Sequence, residues 1–354
     1  MAHAGARVGL HDGPGEVTII APVLPNGKLP PALLDELLGE LGSPPAAVQV
    51  GPGVGEDAAV VDIGGISLVV ASDPVTLTGS GIAHLVLTIN ANDVAVTGAR
   101  PEWFLATVLL PSGTTEAEVR DLFAELADAV KATGVSLIGG HTEVTGAVTQ
   151  PVIAGTMLGA ARRDRIVDSA GARAGDTVVQ VGMAPIEGAA VLASSAHDLG
   201  WPVDSATVSA ALAALHDPGV SVVEAALAAA ELSATAMHDP TEGGIRGALN
   251  ELAVAAGVAI HVDTEAIDWF APGVELCRAA GLDPSATLAS GALLATFSPS
   301  DADDAIAGLT RRGHRATVIG AVEAGTGVTD GHGRPLAMPE RDEIARLGDL
   351  TRPG

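Results

Sequence analysis

The stretch Asn90-Ala91-Asn92-Asp93-Val94-Ala95-Val96-Thr97-Gly98-Ala99-Arg100-Pro101 decides how this chain is read. It sets one carboxylate, Asp93, and two side-chain amides into an otherwise apolar helical run. An unpaired charge in such a run is expensive. Asp93 is therefore either a buried polar group with partners in the core or part of a binding site, and the flanking sequence has to decide between them.

Upstream, GISLVVAS (65–72) reads as a buried strand that runs into Ser72-Asp73-Pro74. Before it, Gly55-Glu56-Asp57-Ala58-Ala59-Val60 places two carboxylates directly ahead of another apolar strand. Downstream, Thr115 and Glu118 form a capping box. The helix it opens carries Val119, Leu122, Phe123, Leu126 and Val130 at helical spacing and closes at Gly134. VSLIGG (135–140) reads as a strand that ends in a glycine turn, Gly139-Gly140-His141-Thr142-Glu143.

The polar ARRDRIVDSAGARAGD (161–176) suits a connection between domains. After it come strand TVVQVG (177–182), Ala-rich helical segments from about 187 to 235, and HDPTEGG (238–244) opening a helix with Ile245, Leu249 and Leu252. VAIHVD (258–263) and ALLATFS (292–298) are strands, and the acidic tail after 328 reads as peripheral. At the other end, residues 1–27 read as a loose arm, followed by a short helix with Leu33, Leu34, Leu37, Leu38 and Leu41 on one face and Gly42 as its stop. Strands and helices alternate in both halves, so the class is mixed α/β in two layers. The division expected is an arm and helix at 1–44, a first domain at 45–160, a second at 161–340 and a tail at 341–354.

The 354 residues hold 18 Lys+Arg against 43 Asp+Glu, a net charge of −25. Such a chain is repelled by nucleic acid and by anionic membrane surfaces, so neither is an expected partner. Apolar residues make up 47% and charged residues 17%, which excludes disorder. Aromatics are 2%, so the core must be packed from Ala, Val, Leu and Ile. The single cysteine, Cys277, excludes an internal disulfide and reads as a buried structural thiol in a helix. No apolar run reaches the roughly 18–20 residues of a membrane span, and the N-terminus has no apolar signal region. The expectation is a soluble chain of the cytoplasm.

Familiar chemistries fail one by one. Gly27-Lys28 is followed by Leu29 and makes no P-loop, and GPGVGED (51–57) lacks dinucleotide-binding spacing. No HExxH, GxSxG or zinc-spaced cluster occurs. What remains is a set of acidic residues in glycine-rich turns: Asp57, Asp73, Asp93 and Asp239, with His141 and His238. Hard cations that accompany polyphosphates take scattered carboxylates and waters, and glycine turns let backbone N–H groups approach phosphate oxygens. Each residue also has a plain reading. Asp57 and Asp73 form turns, Asp239 caps a helix, both histidines are hydrogen-bonded core residues, and Arg162, Arg163 and Arg165 are a solvated linker face. Only their conjunction in this order is specific.

That conjunction resembles the ATP-binding superfamily of aminoimidazole ribonucleotide (AIR) synthetase, selenophosphate synthetase, thiamine-monophosphate kinase and the HypE hydrogenase-maturation proteins, the PurM-like fold. GEDAAVV resembles the family's GDDAAVV, and NANDVAVTGARP resembles NDVAVSGARP. ARAGDTVVQVG with IEGAAVLA resembles the opening of the second domain, and HDPTEGGIRGALNELA is similar to HypE's HDPTRGGLATALNEIA. The resemblance spans roughly residues 45–300 and leans toward HypE.

It implies an N-terminal α/β domain whose strands pair across a homodimer into a barrel, and a C-terminal α/β domain beside it. It implies ATP and Mg²⁺ as cofactors, with Asp57, Asp73, Asp93 and Asp239 on the metal and phosphates. Gly55, Asn90, Asn92, Gly139, Gly140, His141 and Thr142 would line the nucleotide or substrate site. Lys28 is expected to reach a phosphate as a point charge, and His141 or His238 to act as general base. The shared chemistry is γ-phosphoryl transfer to an amide or carbonyl oxygen, which becomes a leaving group for dehydration or cyclisation.

The acceptor would be a small molecule or a protein-borne carboxamide. The alternatives are a kinase of the thiamine-monophosphate type and a non-catalytic ATP-binding partner in a maturation complex. Three departures stand out. HypE proteins end in a cysteine where this sequence ends DLTRPG, so the expected substrate is not its own tail. Gly140-His141-Thr142 replaces Gly-Asp-Thr, and Glu56 replaces the first Asp of GDD.

Overall fold

The computed structural model describes residue 24, residues 26–76 and residues 81–350, with backbone alone for 348–350. Most of the expected N-terminal arm and the final four residues of the tail lie outside the described residues. Helix α1 (Pro31–Gly39) starts on proline, as its fixed φ favours. Its leucine face buries no residue completely.

The first sheet is built from β1 (Val48–Val50), β2 (Ala59–Asp62), β3 (Ile66–Ala71), β4 (Pro74–Val75), β5 (Arg100–Pro111), β6 (Ser136–Thr145) and β7 (Val152–Arg162). Its order is β1-β2-β3-β7-β5-β6, with β4 also on β7. Only the β5–β6 pair is parallel. Helix α2 (Ile82–Ala95) and helix α3 (Glu116–Thr133) cover one another and the sheet. The Thr115–Glu118 capping box opens α3, and Gly134 closes it in the left-handed conformation.

The second sheet contains β8 (Thr177–Val181), β9 (Ala236–His238), β10 (Ala259–Val262), β11 (Leu293–Phe297), β12 (Ala316–Glu323) and β13 (Gly327–Asp330), in the order β13-β10-β12-β8-β11-β9. Around it lie α4 (Glu187–Ala196), α5 (Ser205–Ala213), α6 (Val223–Glu231), α7 (Gly244–Ala256), α8 (Ala271–Ala280), α9 (Ala302–Arg311) and α10 (Glu343–Leu350). No single helix among the described residues is long and apolar enough to cross a membrane.

Helix α2 joins the two halves. Twelve of its 14 residues are buried, because it lies between β7 and α6. A helix apolar all round belongs in a core rather than on a surface. Glycines allow the close approach on the sheet side. A Cβ on Gly155 of β7 would come 2.5 Å from Asn90 Nδ2, and one on Gly159 would come 2.7 Å from Val94 Cγ1. On the other side Asn92 donates from Nδ2 to the Val220 carbonyl at 2.9 Å and accepts from the Val222 N–H at 2.9 Å.

Two sequence expectations change here. The 139–143 segment is no turn: β6 continues to Thr145, and Gly140 is needed because a Cβ there would run into the Ala106 backbone of β5. The tail after 328 is no periphery. Strand β13 adds to the second sheet, and Ile344 is buried among Leu192, Leu276 and Leu288. Tertiary pairing overrides the local signal in both places, because a neighbouring strand or a core vacancy is invisible to local composition.

Candidate active site

Four chain segments converge where the two halves meet. Asp57 precedes β2, Asp73 follows β3, Asp93 lies on the buried side of α2, and Asp239 follows β9. Burial first, then Asp239, Asp73 and Asp57, hold the Asp93 carboxyl well above the usual carboxylate range. Asp239 is likewise pushed up by burial and then by Asp57. Two such groups share protons rather than ionise independently.

The sequence left open whether Asp239 caps the next helix. It does not: both of its oxygens are buried with no hydrogen-bond partner, and so is Asp93 Oδ2. The cap role belongs to Asp342, whose Oδ2 accepts from the Gly243 N–H at 2.8 Å. Asp73 is freed from turn duty in another way. Asn90 holds its backbone, accepting from the Asp73 N–H at 2.9 Å and donating to its carbonyl at 3.1 Å, so its carboxylate is left for a ligand. Burial in the cavity wall raises Asp73 despite the pull of Lys28.

His238 sits between two carboxylates. Its Nδ1 donates to Asp57 Oδ2 at 2.6 Å and its Nε2 to Glu251 Oε2 at 3.0 Å. Burial opposes the charge, but Asp57 and Glu251 outweigh it and hold the ring well above its ordinary pKa, as an imidazolium. The ring has no free nitrogen, so it fixes Asp57 rather than accepting a proton from a substrate. Gly55 belongs to the same construction: a Cβ there would lie 2.7 Å from the Glu251 carbonyl, so only glycine lets the GPGVGED turn dock on α7.

Lys28 donates from Nζ to Thr241 Oγ1 at 3.4 Å, and its backbone N–H donates to Glu242 Oε2 at 3.2 Å. Desolvation works against its charge, but Glu251, Glu242, Asp57 and Asp73 hold the ammonium above its usual range. Two cavities open beside it. One, about 370 Å³, reaches Asp57 past the Gly53–Glu56 turn and is walled by Leu29, Leu34 and Pro339. The other, about 600 Å³, reaches Asp73, Glu187 and Ser290. Lys28, Glu242 and Asp342 border both.

Not every expected site residue joins this center. Asn92 is spent on the loop before α6. Gly139, Gly140, His141 and Thr142 lie on β6, at the opposite edge of the first sheet from β1 and β2. His141 is exposed and its Nε2 is 3.3 Å from Glu143 Oε2. Cys277 is buried and pushed up to about 11 by that burial, which leaves an inert thiol. Conversely, Glu242, Glu251, Asp342, Glu187 and Ser290 border the site without having carried a sequence signal. A polar residue in an apolar helical run, as Glu251 is between Leu249 and Leu252, was the one local hint.

The buried, orphaned oxygens of Asp93 and Asp239 fit a divalent cation held jointly with phosphates, since no side chain among the described residues hydrogen-bonds them and Lys28, with His238 for Asp239, acts on them only at a distance. As placed, no three His, Cys, Asp or Glu side chains among the described residues close round one point, so the ligand itself would supply the remaining oxygens.

Residues 55–161 match the N-terminal domain of AIR synthase related proteins and residues 173–332 match their C-terminal domain. The carbamoyl dehydratase HypE of Cupriavidus necator is 31% identical over 257 residues, covering 71% of this chain and 70% of that protein. A crystal structure of HypE in complex with ATP superposes with a TM-score of 0.67 at 25% identity, over 83% of this chain and 92% of the other. AaThiL complexed with AMPPCP and TMP has the same fold, with a TM-score of 0.68 at 21% identity over 88% and 95% of the two chains. With both domains matched in order and the acidic turns gathered at their junction, this chain belongs to the AIR synthase related family, among its HypE-type members.

Proposed function

We propose that this chain is an ATP-dependent enzyme that transfers the γ-phosphoryl group to the oxygen of an amide or carbonyl acceptor, which is then dehydrated or cyclised. The observation that carries this reading is the set of orphaned carboxylate oxygens on Asp93 and Asp239, which feel the charge of Lys28, the cation that borders both cavities. Phosphoryl transfer needs positioning and charge neutralisation more than covalent help. The relatives' name, carbamoyl dehydratase, gives the same chemistry from an independent direction.

The smaller cavity suits the nucleotide: its glycine turn is open to phosphate oxygens and its apolar wall to a base. Asp57, Asp73, Asp93 and Asp239 are the residues that would hold Mg²⁺, which would supply neutralisation of the charge that develops on the phosphates. Lys28 faces the same phosphates from above, and His238 keeps Asp57 in place. The acceptor oxygen bonds to the γ-phosphorus as ADP leaves. For a primary amide, loss of the N–H protons and departure of that oxygen in phosphate leaves a nitrile, the net removal of water.

We assign residues 45–160 to the nucleotide domain and 161–340 to the second. Strand β6 is exposed along its whole length except Thr145, with Leu137, Ile138 and Val144 in solvent. An edge of that length and character invites pairing, and a homodimer built along it is our reading. A second copy is also what would bring Gly139, Gly140, His141 and Thr142 to a nucleotide. A cytoplasmic reaction is part of this reading, in keeping with ATP as substrate.

Calorimetric titration of ATP, with Mg²⁺ and then with EDTA, tests the reading alongside a phosphate-release assay. Mg²⁺-dependent binding with slow turnover is the expected result. Absence of ATP binding in both conditions would overturn it.

A further inference from the structure

Lys28 arrives on a stretch that does not hold itself. Residues 26–30 belong to no helix or strand, and helix α1 behind them buries no residue completely. Among the described residues Lys28 makes no backbone–backbone hydrogen bond. Both of its hydrogen bonds go to one turn, at Thr241 and Glu242, more than 200 residues away (213 and 214). The contact from Nζ to Thr241 Oγ1 is long at 3.4 Å, whereas the backbone N–H reaches a carboxylate oxygen, Glu242 Oε2, at 3.2 Å. Gly27 leads the chain past that oxygen with φ at 121°, in the region that favours glycine.

The turn, by contrast, is fixed from several sides. The Thr241 carbonyl accepts from the Gly244 N–H at 3.0 Å and from the Ala289 N–H at 3.3 Å, and Asp342 Oδ2 accepts from the Gly243 N–H at 2.8 Å. None of these bonds uses the Glu242 side chain. HypE's HDPTRGG has an arginine where this chain has Glu242, so the motif does not require an acid there. The carboxylate also stands where an acid is unwelcome, because it borders both cavities and its charge opposes that of a nucleotide's phosphates. That cost is offset where the same group holds the cation that the phosphates need. After Glu251, Glu242 is the carboxylate that does most to keep the Lys28 ammonium charged.

We propose that Glu242 is a positioning residue: its carboxylate anchors the arm by the Lys28 backbone, so that the Lys28 side chain is free to leave Thr241 and meet the phosphates of a bound nucleotide. The long bond to Thr241 exchanges readily for a charge-assisted bond to phosphate, which is shorter and stronger. The anchor grips the backbone, so it stays in place while the ammonium moves. The assignment rests on the phosphoryl-transfer reading and adds to it an acid that repels ATP by its charge yet is needed to bind it.

Calorimetric titration of Mg-ATP into the full chain tests this, because the two roles open to Glu242 predict opposite signs. Acting only as a charge, Glu242 repels the phosphates, and Glu242→Ala would bind ATP more tightly. Acting as an anchor, its loss weakens binding on the order of tenfold, about the worth of the charge-assisted bond that Lys28 then fails to make. Glu242→Gln keeps an acceptor for the Lys28 N–H and should lose less. Lys28→Ala should weaken binding by a similar factor, and adding Glu242→Ala to it should weaken binding no further, since nothing is left to position. A residue that held the metal would lose affinity again in that background. Should Glu242→Ala fail to fold by thermal melting, Glu242→Gln gives the same cycle, with a smaller loss that also disappears beside Lys28→Ala. Tighter binding by Glu242→Ala, or losses that add in the double variant, would overturn the proposal. A Lys28→Ala variant that binds ATP like the parent overturns it alone, whereas a parent that binds no ATP takes the phosphoryl-transfer reading down as well.

Discussion

His238 and Asp57 are 181 residues apart in sequence, yet His238 Nδ1 stands 2.6 Å from Asp57 Oδ2. On its other side the same ring reaches Glu251, so one imidazolium ties the acidic turn before β2 to helix α7. Replacing it leaves two carboxylates facing each other without a counter-charge. His238→Ala is expected to cost about 3 kcal/mol of stability, in the range for breaking a buried ion pair, and to weaken Mg-ATP binding. Urea unfolding and calorimetry check this. A variant as stable as the parent would show that the ring is neutral and the pairing weak.

Asp93→Asn separates function from stability. Removing a buried, unpartnered carboxylate relieves a desolvation cost, so the free protein should gain on the order of 1 kcal/mol. Metal-dependent turnover should fall at least about a hundredfold, as expected for loss of a ligand to the charge-neutralising ion. Thermal melts and phosphate release measure the two effects on one preparation. Loss of both together would point to a structural role for Asp93.

Stability should decline as pH rises. Burial pushes Glu187 and Asp342 to about 7, against about 4 in an unfolded chain. Each binds its proton more tightly in the fold, so its contribution is complete below about pH 4 and is lost by about pH 7. His238 acts in the same direction over a higher window, since its folded pKa is raised: its contribution is whole below 6.5 and wanes as pH passes the raised value. Glu251, which the paired His238 lowers despite burial, opposes only in the acid range. A melting temperature that falls from pH 5 to pH 8 without Mg²⁺, and is restored by Mg²⁺, is the expected pattern. A melting temperature rising across that range would contradict it.

Gly155→Ala probes the seat of α2 on β7. The added Cβ would meet Asn90 Nδ2 at 2.5 Å and Phe104 Cε2 at 2.8 Å. Overpacking of this kind costs about 1–3 kcal/mol, and shifting Asn90 also loosens its grip on the Asp73 backbone. Chemical denaturation should show the loss, and the apparent affinity for Mg²⁺ should weaken with it. Unchanged denaturation would mean that α2 can slide away from the strand.

Ile138→Glu tests the edge of the first sheet. Ile138 is exposed on β6, where a charge harms nothing in a single chain but disrupts an apolar pairing with a second copy. Sedimentation should report a dimer for the parent and a monomer for the variant. A monomeric parent removes the dimer from our functional reading.

Much of this protein is settled by local chemistry. The capping box at Thr115 and Glu118 with Gly134, the apolar runs of β3, β8 and β11, and the periodic leucines of α7 define their elements from neighbours three or four residues away. The acidic turns at Asp57, Asp73 and Asp239 and the helical Asp93 were visible for the same reason, since a carboxylate beside an apolar run must find a partner. Distance in sequence is where local reading stops. Nothing near Gly139 and Gly140 tells whether they bend the chain or let β6 lie against β5, because the deciding atom belongs to Ala106. His238 reads equally as base or brace until Asp57 and Glu251 are seen on its two nitrogens. Lys28 and Glu242, 214 residues apart, become one feature only when the arm reaches the turn before α7. Backbone preference and hydrophobic period act over one or two turns of chain, whereas burial, charge pairing and cavity shape arise between segments that only the packed structure brings together.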